Sequence, residues 1–184
     1  MRGLTLVETL VCSVLVFLSG CLAMTLLVQA RTATQITRDE AAAVVDLQAA
    51  SWLLTRELAE GSVSGLTVSS HRPALAVVSA RDNRGIFVTD AHGLPVWQKY
   101  IVYQVDAGLR RTVLPGPVSG PLAEARLDAV PASAGQAVSA HIRGLRCHRD
   151  PARRNARCSL DWEGTTSLGR QESHHVDFEV NLWN

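Results

Sequence analysis

Glu8 stands in the run GLTLVETLV, near the start of a chain of 184 residues, and the next acidic residue is Asp39. From Thr9 to Val28 no residue is charged. About 20 such residues, rising ~1.5 Å each, cover the hydrocarbon core of a bilayer as a helix. A charge inside that core costs a few kcal/mol or more, so an acid there is a functional residue by default. The bland alternative is that Glu8 lies near enough to the interface to stay hydrated. The flanks are Arg2 on one side and Arg31 and Arg38 on the other. If positive charge stays inside, the C-terminal bulk is exported.

The remaining candidate chemistry is sparse. Cys147 and Cys158 flank a loop containing Arg149, Arg153, Arg154 and Arg157, with Arg146 beside it. A disulfide closing this short loop contributes roughly 3 kcal/mol by chain entropy, and an exported domain favours its oxidation. The rival is a metal held by Cys147, His148 and Cys158 with His174 or His175; that spacing matches no zinc signature, so no metal site is assigned. The arginines could contact DNA phosphates. They also suit a solvated loop: no aromatic residue interleaves them for base stacking, and Lys99 is the only lysine, so arginine enrichment partly follows composition. The salt dependence of binding separates the two.

His71, His92, His141, His174 and His175 form no pattern of nucleophile, base and orienting acid. Asp82, Asn83 and Asp90 could bind calcium, but turn chemistry accounts for them. Trp52, Trp97, Trp162 and Trp183 read as core or edge packing. No catalytic residue, cofactor or small-molecule substrate is expected.

Three kinds of segment fit the N-terminus. A cleaved secretory signal fits poorly, because Glu8 interrupts the apolar run and no small-x-small site ends it. Leu18-Ser19-Gly20-Cys21 matches a lipobox, which would acylate Cys21 and make the chain an exported lipoprotein or membrane-anchored binding domain. The residues after Cys21 stay apolar, whereas a mature lipoprotein usually leaves the membrane at once.

The third kind accounts for Glu8. Gly3-Leu4-Thr5-Leu6-Val7-Glu8 resembles the processing site of type IV prepilins and pseudopilins. The resemblance implies cleavage after Gly3 by a prepilin peptidase, leaving Leu4 as an N-methylated mature N-terminus. Glu8 then lies one helical turn from a new positive amine. It can neutralise that amine or a neighbouring subunit's, and such a pair sets register more surely than it adds stability. The family's use of this acid is in filament assembly, and the subunit at the extreme tip typically lacks it.

The elements that must position these residues follow from periodicity. Ile36, Val44, Leu47, Leu54 and Leu58 recur at helical spacing, and no proline interrupts Leu4 to Glu60. One long helix is expected, ended at Gly61; a break near Gln29–Thr37 is the alternative. Strands are expected at Leu66–Ser70, Leu75–Ser79, Ile86–Thr89, Val96–Val105, Leu109–Leu114, Val138–Leu145, Cys158–Glu163 and His175–Trp183. Asp106-Ala107-Gly108 and Asp90–Gly93 read as turns, and Pro115–Pro121 and Pro131–Gln136 as loops. No internal repeat is evident.

The organisation is a leader (1–3), a membrane or filament-core helix (4–28), its amphipathic continuation (29–60) and an exported β-rich domain (61–184). The fold class is α+β, a long helix on a mainly antiparallel sheet, similar to the pilin fold. Lys and Arg number 18 against 17 Asp and Glu, so global charge gives no argument for a nucleic acid partner. The resemblance implies a minor pilin or pseudopilin. Its partners would be the inner membrane and other pilin or pseudopilin subunits of a type IV pilus or type II secretion pseudopilus. The stretch Trp97–Tyr103, followed by a turn and Leu109-Arg110-Arg111, resembles the bigger minor members, those like the J-type pseudopilins and W-type minor pilins.

Overall fold

A computed structural model describes residues 5–116 and 118–182. Gly3, Leu4 and Trp183 lie outside these residues. α1 runs unbroken over Leu6–Ala59, so the alternative of two helices does not hold. Its first half is long and apolar enough to cross a membrane, and that stretch has no buried residue among the described residues.

The second half of α1 buries Ala43, Leu47, Ala50, Leu54 and Leu58. Steps of four, three, four and four residues keep one face inward. Val44 falls about 100° from Ala43 and is exposed, while Ile36 is half-buried. The expected apolar row is therefore corrected at Val44, where Ala43 takes the inward position. Gly61 follows the helix end because a Cβ there would lie 2.1 Å from a Val77 methyl.

The strands are β1 (Thr67–Val68), β2 (Ala74–Ser79), β3 (Lys99–Val105), β4 (Leu109–Pro115), β5 (Gln136–Ser139), β6 (Ile142–Asp150), β7 (Asn155–Thr165) and β8 (Gln171–Asn181). β1 to β5 form one antiparallel sheet in chain order, and β6 to β8 form a second. The chain is thus α+β. The main core lies between α1 and both sheets, with Leu75, Ile101, Tyr103, Leu109, Ile142, Leu160 and Val180 among its members.

The structure departs from the expected elements for local reasons. Val138–Leu145 is not one strand: the Ser139 hydroxyl accepts the N–H groups of His141 (3.1 Å) and Ile142 (3.3 Å), turning the chain from one sheet to the other. A short helix, α2 (Glu124–Asp128), was not expected at all. It brings Leu122, Leu127 and Val130 over Ala74, Ala76, Val78 and Val102 on the far face of the first sheet. β2 is consequently buried on both faces, which accounts for the unbroken apolar reading ALAVVS.

Ile86–Thr89 forms no sheet strand. Residues 81–96 make an arm of two like loops bridged at Arg81–Phe87 and Thr89–Pro95. Asp82 Oδ1 accepts the N–H groups of Arg84 (2.8 Å) and Ile86 (2.9 Å), and Asp90 Oδ1 those of His92 (2.8 Å) and Leu94 (2.9 Å). Gly85 and Gly93 supply φ of 79° and 78°, which other residues rarely adopt. The expectation of no internal repeat is thereby corrected: Asp-x-x-Gly-Ile/Leu-x-Val runs from Asp82 to Val88 and recurs eight residues on, from Asp90 to Val96.

Candidate functional site

Thr5 caps α1. Its side chain accepts the Glu8 N–H at 3.4 Å, and Glu8 Oε2 accepts the Thr5 backbone N–H at 2.8 Å. This reciprocal capping box satisfies donors at a helix start that lipid cannot satisfy. Glu8 is exposed in the isolated chain and points back to the helix terminus rather than sideways.

At about 100° per residue, Thr5, Thr9, Cys12, Ser13, Ser19, Gly20 and Ala23 fall on one side of the helix together with Val16 and Leu27, and Glu8 lies at the edge of that side, in line with Leu15 and Leu26. Val7, Leu10, Val14, Phe17 and Leu18 lie opposite. The hydroxyls are already satisfied within the helix: Thr9 donates to Leu6 O (3.0 Å), Ser13 to Leu10 O (2.8 Å) and Thr25 to Leu22 O (2.8 Å). Cys21 is exposed in mid-helix on the aliphatic side.

Sequence reasoning missed the residues that carry this helix. Asp39 accepts the Ser167 N–H and Oγ–H, each at 2.8 Å; these bonds hold its carboxyl below the ordinary range. Asp46 accepts from the Ser139 hydroxyl (2.5 Å) and Trp162 Nε1 (3.1 Å). Glu57 accepts Arg111 at 2.7 and 3.0 Å and the Tyr103 hydroxyl at 2.6 Å. Burial, reinforced by the Glu57 charge, pushes the Tyr103 phenol far up. Glu60 takes Arg81 through two contacts of 2.6 Å. The signal was available: Asp39, Asp46 and Glu57 lie within about 20° of one another on the helix, at the edge of its apolar stripe.

Cys147 and Cys158 are directly opposed in β6 and β7 and form a disulfide. This clips two adjacent strands. The arginines around it are mostly engaged. Arg149 reaches the carbonyls of Val63 and Leu66, Arg157 pairs with Glu179 at 3.2 Å, Arg153 with Asp150 at 3.8 Å and Arg146 with Asp161 at 3.1 Å. Arg154 occupies the turn with φ 54°. An open groove of about 610 Å³ beside the disulfide is lined by Arg146, His148, Arg157, Asp177 and Glu179, charges of both signs.

His174 and His175 sit on β8, away from any shared site with the disulfide sulfurs. His175 bridges Asp161 (2.6 Å) and Asp177 (2.9 Å), and these two hydrogen bonds, Asp161 first, raise its pKa. His71, Glu124 and Asp128 bring ligating atoms within 4.8 Å of one another. Ser70 already engages Glu124, and Ser69 and Arg72 engage Asp128. Of the tryptophans, Trp162 is buried and Trp97 packs on the second core. Trp52 is exposed, with the Arg56 guanidinium 5.6 Å over its ring, so its expected packing role is corrected.

Comparison of the chain with protein-family models, curated proteins and solved structures finds no match.

Proposed function

We propose that this chain is a minor pilin or pseudopilin, a structural subunit that helps a type IV filament or type II secretion pseudopilus assemble or initiate. The supporting observation is the position of Glu8. Its carboxylate accepts the N–H of Thr5, the residue next to the one that processing would turn into a free amine. In this reading a positive amine, its own or a neighbour's, completes the pair. Glu8 also borders the side of the helix that carries small and hydroxyl-bearing residues. Small residues let transmembrane helices approach closely. In this reading the row of anchored acids from Asp39 to Glu60 holds the second half of the helix to the β-domain.

In this reading the chain performs no chemistry. It waits in the inner membrane, its domain exported, and packs its helix with those of other subunits after a prepilin peptidase removes residues 1–3. The test is the intact mass and N-terminal peptide mass of the membrane-extracted native protein. A chain starting at N-methylated Leu4 supports the proposal. A chain starting at acylated Cys21 overturns it in favour of a lipoprotein, and leaves Glu8 in a discarded signal.

A further inference from the structure

The apolar run of α1 ends at Val28. Among the described residues, the first hydrogen bond to the β-domain is Asp39 with Ser167, and the first buried residue is Ala43. Gln29–Arg38, roughly 15 Å of helix, joins these two supports. None of its residues is buried, though Thr32 and Ile36 are half-covered.

Beside the helix-favouring Gln29, Ala30, Arg31, Ala33, Gln35 and Arg38, this stretch holds four residues that weaken a helix. Thr32, Thr34, Ile36 and Thr37 are β-branched and lose side-chain freedom there. All three threonines bond back along the helix: Thr32 to Val28 O (3.0 Å), Thr34 to Ala30 O (2.8 Å) and Thr37 to Ala33 O (3.0 Å). Such bonds compete for carbonyls of the helical ladder and often bend it. Arg31 and Arg38 have no acidic residue four positions away in either direction, so ion pairing adds nothing.

Either side differs. In lipid, every backbone group must be satisfied internally, which enforces helix. From Ala43 to Leu58, packing on two sheets does the same. Local opening concentrates where such support is least.

We infer that Gln29–Thr37 is a pivot, a locally opening section of α1 about which the exported domain tilts against the membrane-held half. The inference needs the N-terminal half to be in a membrane but does not need filament assembly.

The test is hydrogen exchange of the full chain in lipid nanodiscs, read with distances between spin labels at native Cys12 and at R154C in a C21S background. Amides of residues 30–37 are expected to exchange at least tenfold faster than those of Leu15–Leu26 or Leu47–Leu58, and the distance distribution to be broad. Replacing Thr32, Thr34 and Thr37 together by Ala, worth up to about threefold in helix stability each, is expected to slow that exchange roughly tenfold and narrow the distribution. Equal protection from Leu15 to Leu58, or a narrow distribution that the triple variant leaves unchanged, overturns the pivot. Fast exchange through Leu15–Leu26 as well also overturns it, since no held half then exists.

Discussion

Glu57 on α1 and Arg111 on β4 meet in a two-pronged ion pair across the boundary between helix and sheet, with nitrogen–oxygen distances of 2.7 and 3.0 Å. Tyr103, opposite Arg111 in the β3–β4 register, donates its hydroxyl to the same carboxylate. The side chains of Glu57 and Arg111 are 13% and 24% exposed. Breaking such a pair by removing one partner leaves the other charge poorly solvated, at a cost of about 3 kcal/mol.

Glu57→Ala is therefore expected to lower unfolding stability by about 3 kcal/mol, and Tyr103→Phe by about 1 kcal/mol, since the phenol contributes one hydrogen bond. Urea unfolding of the full chain in detergent, followed through buried Trp162, measures both. Equal and negligible effects would show that the pair is dispensable to the helix–sheet junction.

How far this was legible in the sequence depends on the range of the interaction. The unbroken α1, the β2 run and the β3–β4 hairpin follow from local periodicity and turn residues. The placement of Ala43 and Ala50 inside, and of Val44 outside, depends on which helix face meets the sheets. Hydrophobicity alone favours the valine. The arm at 81–96 escaped because its eight-residue repeat is short and its aspartates satisfy backbone groups rather than pairing strands. α2 is five residues long, too short for a helical period to register. The anchoring acids join partners as far apart in sequence as Asp39 and Ser167, which no local pattern reveals. The start of the helix is the opposite case: Thr5 and Glu8 are three residues apart, and the capping box they form is a sequence-level signature.

The disulfide closes a loop with a separation of 11 residues between its cysteines. Its removal by Cys147→Ser with Cys158→Ser is expected to cost roughly 3 kcal/mol. Comparing urea midpoints of the oxidised, reduced and doubly substituted proteins checks this. The reduced and substituted forms should coincide, because both free the same loop.

His175 gives the domain a pH dependence of known sign. Its pKa in the fold is raised by Asp161 and Asp177, so the stabilisation it contributes is complete below the ordinary histidine value of about 6.5. That contribution is lost as pH rises through the raised value. Proton NMR titration of the imidazole is expected to show a midpoint above that of a free histidine, and Asp177→Asn is expected to bring it down. A midpoint at or below the ordinary value would show that the two aspartates do not hold the ring in solution.

Glu8 caps α1, the proposed function gives it a second role in assembly, and two substitutions divide the two. As the third residue of a capping box it needs only an acceptor, which glutamine also supplies. As the partner of a terminal amine it needs a charge. Glu8→Ala removes both functions, whereas Glu8→Gln removes the charge alone. If the acid serves assembly, both variants enter the membrane and keep the folded domain, yet both fail to appear in sheared filament or in subunit cross-links. Wild-type incorporation of Glu8→Gln beside failure of Glu8→Ala would confine the acid to capping. Normal incorporation of both would remove it from assembly. The decisive measurement is the fraction of each variant recovered in cross-linked oligomers, normalised to its amount in the membrane, because this separates loss of assembly from loss of expression.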